Sequence, residues 1–157
     1  MDAKALILLD LKECRRRFLT VARGFSDDLL CWKPDVEALT VGETIRHVLL
    51  HDFSWLTILR EHRLPSEEER KQLWGKPFVT IEGEIAGSNI YHDKLLSYVN
   101  EIPSSTYSSK MIKWPHKDIE RSLGDTLERK TYHDAVHTGQ LLQYMRMLQI
   151  DRPDIWD

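Results

Sequence analysis

Near the C-terminal end of the 157-residue chain, the stretch TYHDAVHTGQLLQYMR sets His133 and His137 four positions apart among residues that favour a helix. A helix advances about 100° and about 1.5 Å per residue, so such a pair shares one face with Cβ atoms about 5 to 6 Å apart. Two imidazoles placed this way can converge on one divalent ion, or they can be ordinary polar residues of a helix. With His133 as the reference direction, Val136, His137, Gln140, Leu141, Tyr144, Met147 and Leu148 fall on the same side. This predicts a pair that faces inward on an apolar stripe. An inward polar group without a partner costs about 1 to 3 kcal/mol, so the pair needs one. An ion would serve, and so would hydrogen bonds to Tyr, Ser or water.

Spacing alone is a weak signal, because the chain has seven histidines and a second pair, His47 and His51, repeats it. A third ligand would strengthen the metal reading, since catalytic zinc commonly keeps three protein ligands and leaves the fourth position to water or substrate. Either His47 or His51 could supply it from a facing helix, the usual construction of a bundle-core site. His92 is expected to face inward on a different helix, where a single buried His is more often a hydrogen-bonded core residue. The same reading applies to His62, and His116, beside Pro115 in a loop, is expected in solvent. Asp52 and Asp134 adjoin histidines, but Asp134 is rotated about 100° from His133 and is expected to point elsewhere. No carboxylate therefore stands out as a general base. Trp55 and Tyr144 are read first as core aromatics, the alternative being a place beside a pocket for Trp55 and a polar neighbour of His137 for Tyr144.

Four helices are predicted to position these residues. Ile7, Leu11, Cys14, Phe18, Val21 and Phe25 alternate in steps of four and three, a bundle pattern, and the helix is expected to end near Gly24 in a left-handed cap. Thr40 followed by Glu43 is a capping box, opening a second helix that runs to about His62 with a wide apolar face. Thr80 caps a third, whose stripe of Ile81, Ile85, Ser88, His92, Leu95, Val99 and Ile102 holds two polar members and stops at Pro103. Ser122 caps the fourth, which runs to about Gln149. Between the second and third, SEEERKQLWGKP has room for one short helical turn; between the third and fourth, a Ser-rich loop allows a short extended piece around Lys110 to Trp114. No segment alternates convincingly as a strand. The expected class is all-α, a four-helix bundle in one domain over residues 1–157, with two long connections that leave room for crossovers.

Composition narrows the function. The 22 basic and 25 acidic residues give a formal net charge of -3 with no block of like charge, so nucleic acid and polybasic membrane contact are not expected. Cys14 and Cys31 form no metal-finger or C-x-x-C spacing, Cys14 is expected in the core, and a reduced cytoplasmic location is the simplest reading. Nothing approaches the roughly 20 apolar residues of a membrane span, and the N-terminal apolar run is broken by Asp10 and followed by its basic cluster rather than preceded by it.

Taken together, FSDDLLCWKPDVEALTVGETIRHVLLHDFSWL and YHDAVHTGQLLQYMR resemble the DinB-like family of bacterial metal-binding four-helix proteins. The resemblance lies in a first helix, a turn with Trp32 and Pro34, a helix with one His, and a distant H-x-x-x-H followed by Gly139 and Gln140. It implies up-down-down-up topology, a homodimer, and a divalent ion such as zinc or nickel held by His47, His133 and His137. His51, one turn beyond His47, is left as a residue that could hydrogen-bond a ligand or substrate. Some relatives are thiol-dependent enzymes that join bacillithiol to electrophiles or use mycothiol in isomerisation. The leading expectation is therefore a metal-dependent thiol transferase in detoxification or stress response, with a low-molecular-weight thiol and an electrophilic small molecule as partners. The alternatives are a metal-dependent hydrolase and a non-catalytic metal-binding or dimeric scaffold protein.

Overall fold

The computed structural model describes residues 2–156. Long helices α1 (Ala3–Ala22), α2 (Val41–Glu61), α4 (Ile81–Glu101) and α5 (Leu123–Leu148) form the bundle. A short helix α3 (Glu67–Trp74) and a two-stranded ribbon, β1 (Met111–Lys113) and β2 (Glu120–Ser122), occupy the two long connections.

The predicted caps are present. The Thr40 hydroxyl accepts from the Glu43 N–H at 3.1 Å while the Glu43 carboxylate accepts from the Thr40 N–H at 2.8 Å, and Thr80 and Ser122 cap α4 and α5 in the same sense. The end of α1 differs from expectation. Arg23 closes it in right-handed conformation and no glycine has positive φ among the described residues. Gly24 instead allows a close approach, since an added Cβ would lie 2.5 Å from the Met145 Cε. The segment expected to hold one helical turn forms the two turns of α3 because Ser66 and Glu69 make a second capping box. The extended piece near Lys110 is β1, and its antiparallel partner β2 was not foreseen: three residues are too few to show alternation.

Helix directions follow from contacts at the ends. Arg23 near the C-terminus of α1 meets Glu82 at the start of α4, and Lys4 reaches the Asn100 carbonyl at the far end, so α1 and α4 are antiparallel. Arg46 pairs with Glu84 near both N-termini, and the Tyr98 hydroxyl donates to the Leu59 carbonyl near both C-termini, so α2 and α4 run parallel. The Tyr144 hydroxyl, late in α5, donates to the Leu39 carbonyl just before α2, which makes α5 antiparallel to α2. The order is up-down-down-up, and the parallel α2–α4 pair is what requires a long connection carrying α3.

The interior has three layers. One apolar cluster gathers Phe18, Val21, Ile45, Ile85, Leu141 and Met145 at one end. A second gathers Leu11, Leu59, Leu95, Val99, Leu123 and Leu127 at the other, with Ile112 of β1 sealing it. Between them Arg15, Asp52, Ser88, His92, Lys130 and Asp134, from all four long helices, are buried. Cys14 is half-buried rather than in the core, and Cys31 is exposed. Among the described residues no helix is long and apolar enough to cross a membrane.

Candidate metal centre

His47 stands in the second turn of α2 and faces His133 and His137 on α5. The His133 Nε2 lies 3.0 Å from the His47 Nε2 and 3.1 Å from the His137 Nε2. Two nitrogens each about 2.0 to 2.1 Å from one metal ion, at angles between octahedral and tetrahedral, would be about 2.9 to 3.4 Å apart, which these separations match. The outer ring nitrogens set the tautomers. The His137 Nδ1 donates to the Gln140 Oε1 at 2.7 Å and the His133 Nδ1 donates to the Asp134 Oδ1 at 3.2 Å. With those protons on Nδ1, the converging Nε2 atoms carry lone pairs. Lone pairs facing at this distance repel, and a cation between them removes the repulsion. The donor set therefore fits a divalent ion. Burial, followed by the fields of His133 and His137, pushes the His47 pKa down to about 4, and burial with His133 lowers that of His137. Both rings are neutral near pH 7, the state in which imidazole binds a metal.

The orientation of α5 corrects the sequence reading. Val136 is 42% exposed, Gln140 and Met147 also face solvent, and Asp134 is only 2% exposed. The inward stripe is Leu127, Lys130, Asp134, Thr138, Leu141 and Met145, and the histidines lie on its flank, His133 at 23% side-chain exposure. A stripe phased on hydrophobicity missed this because the middle of the buried face is polar. Asp134, expected to point elsewhere, instead holds the imidazole of His133.

Asp134 is itself held by the buried central layer. Lys130 contacts the Asp134 Oδ2 and lies 2.6 Å from the Asp52 Oδ1. The Asp52 Oδ2 accepts from Arg15 at 3.1 Å and lies 2.9 Å from the His92 Nδ1. Two cations thus meet two carboxylates inside the bundle. Burial alone would raise the pKa of Asp52, but Lys130, His92 and Arg15 outweigh it and hold it well below the usual carboxylate range. Burial alone would lower the pKa of Lys130, and Asp134 with Asp52 raise it instead. His92 faces inward as predicted and serves this network, outside the three-histidine cluster. Neither Asp52 nor Lys130 was foreseen as part of the site's support; the four-residue spacing of Lys130 and Asp134 was the available signal.

His51 stacks on His47 and His133, with ring centroids 4.2 and 4.4 Å away, and its Nδ1 is buried without a hydrogen-bond partner. Burial first, then His47 and His133, push its pKa down to about 2. A cavity of about 320 Å³ opens beside His47 and His51. Trp55, read as core first, is both buried and part of the cavity wall. Tyr144 lies in the apolar core as first read, stacked edge-on to Trp32 with centroids 5.4 Å apart.

Fold and cluster together define a helical bundle with a three-histidine candidate metal centre between its second and last long helices. The chain belongs to the DinB superfamily, whose family model matches residues 10–141. Its fold is similar to that of YjoA, a DinB-like protein from Bacillus subtilis, at 14% identity and TM-score 0.70 over 96% of each chain. It is also similar to YfiT from Bacillus subtilis, described as a probable metal-dependent hydrolase with an unusual four-helix bundle topology. That match has 13% identity and TM-score 0.73, covering 94% of this chain and 89% of YfiT. No curated relative matches the chain.

Proposed function

We propose that the protein is a divalent-metal-dependent enzyme that transfers a low-molecular-weight thiol to an electrophilic small molecule. The observation that carries this reading is the convergence of three Nε2 atoms beside a cavity whose lining, among the described residues, contains no aspartate or glutamate. His47, His133 and His137 would hold the ion, with zinc or nickel suited to an all-imidazole set. A divalent ion there supplies Lewis acidity, which favours the deprotonated form of a thiol or of water. Asp134 and Gln140 orient the imidazoles of His133 and His137. In the transfer, the thiol S–H gives its proton to solvent, sulfur bonds to the electrophilic carbon, and the leaving group departs with its bonding pair. A thiolate needs no general base at the moment of attack, consistent with the missing carboxylate.

Hydrolysis is the second reading, supported by the likeness of fold to YfiT. It asks for a group to shuttle protons to the leaving group, and the two nearest carboxylates, Asp52 and Asp134, are occupied by Lys130 and buried. The two are separated by assaying metal-loaded protein for conjugation of monochlorobimane with several thiols and, in parallel, for hydrolysis of aryl esters. Conjugation that disappears in His47→Ala and His133→Ala, together with the bound metal by elemental analysis, is expected. Ester hydrolysis without conjugation would overturn the transfer reading in favour of the second. Wild type that retains no metal would sink both.

A further inference from the structure

The cavity beside His47 has a chemical character that neither the fold nor the three histidines require. Three indoles meet around it: Trp55 from α2, Trp74 from the end of α3, and Trp114 at the base of the ribbon. The Trp55 and Trp114 rings meet edge-on with centroids 5.3 Å apart, leaving an aromatic wall suited to a flat ring. Trp55 is 6% exposed, which fixes that wall in place. At the rim stands Arg70. The carboxylate nearest in sequence, Glu69, is taken by Arg63 at 2.7 Å, and Glu84 by Arg46, so no carboxylate pairs with Arg70 among the described residues. An aromatic box and an unpaired guanidinium at its mouth describe one kind of occupant.

We infer that this cavity recognises a small aromatic anion, an aryl carboxylate or sulfonate. Its ring lies among the three indoles, and its acidic group pairs with Arg70. The inference rests on the metal-enzyme reading only in making this molecule the electrophilic partner; the recognition belongs to Trp55, Trp74, Trp114 and Arg70. It also gives α3 and the ribbon, which lie outside the four-helix core, a role in choosing the substrate.

The test is calorimetric titration of the full chain, metal-loaded and chelator-stripped, with 2-naphthoate and its neutral analogue 2-naphthalenemethanol. Metal content is measured on the same samples. Wild type is expected to prefer naphthoate by about tenfold, the range of one charge-assisted contact. Arg70→Gln, an exposed change that keeps helix propensity, should abolish the preference while leaving the neutral analogue unaffected. Trp74→Ala, which removes one indole of the wall, should weaken naphthoate and the neutral analogue alike. A preference that survives Arg70→Gln, or no naphthoate binding by protein that holds its metal, overturns the pocket and leaves the metal reading standing. Arg70-dependent binding by protein that takes up no metal in the loading step upholds the pocket and removes the metal reading.

Discussion

At the scale of single residues, the centre depends on which ring nitrogen carries each proton. Asp134 and Gln140 set this for His133 and His137 through their Nδ1 atoms. Partners of this kind typically change metal affinity by about 10- to 100-fold when removed. Gln140 is the cleaner of the two to test, because it is exposed, whereas Asp134 is buried and also pairs with Lys130. Gln140→Ala is expected to weaken metal binding by about tenfold in a chelator competition. The melting temperature of the metal-free protein should stay within the small range of ordinary surface changes. A change in melting temperature with unchanged affinity would show that Gln140 is structural only.

At the scale of elements, the early part of α2 matters most, because His47 lies in its second turn. The reciprocal Thr40–Glu43 box satisfies two backbone donors that would otherwise be orphaned at that end. Thr40→Ala should destabilise the protein by about 1 kcal/mol, a fall in melting temperature of about 2 to 4 °C. It should also weaken metal affinity, since fraying loosens the one ligand that α2 contributes. Thermal melts and chelator competition on the same variant check both effects, and a full-strength site on a destabilised helix would refute the coupling. The caps were legible because capping needs particular side chains at fixed offsets. The ribbon was only half legible, since its pairing depends on β1 closing the apolar end of the bundle through Ile112.

At the scale of the molecule, a charged layer joins four helices. Asp52 faces Arg15 of α1, His92 of α4 and Lys130 of α5, and Lys130 in turn faces Asp134. Its folded pKa is depressed, so its contribution to stability is complete above the unfolded carboxylate value near about 4. That contribution is lost as pH falls below this value toward the folded pKa, because the unfolded chain takes up the proton first. Asp52→Asn should therefore be less stable near neutral pH by about 3 to 5 kcal/mol, with Arg15 and Lys130 left under-compensated. Its stability should depend less steeply on pH below about 4 than that of wild type. Urea denaturation as a function of pH measures both, and parallel acid limbs for the two proteins would refute the assignment.

The four long helices, the N-caps of α2, α4 and α5, and the bundle class followed from the sequence because capping and apolar periodicity are local and repeat along each helix. The three histidines were named from their resemblance to a family, since spacing alone left the third ligand open between His47 and His51. Tertiary structure decided the phase of α5, because its middle turn buries Lys130 and Asp134, which only the opposing charges of other helices make stable there. It also decided the place of Asp134 at His133, and it gathered Arg70, Trp74 and Trp114 from the two long connections against α2. Those side chains share no periodicity and little sequence proximity, so only the packed chain could bring them beside His47.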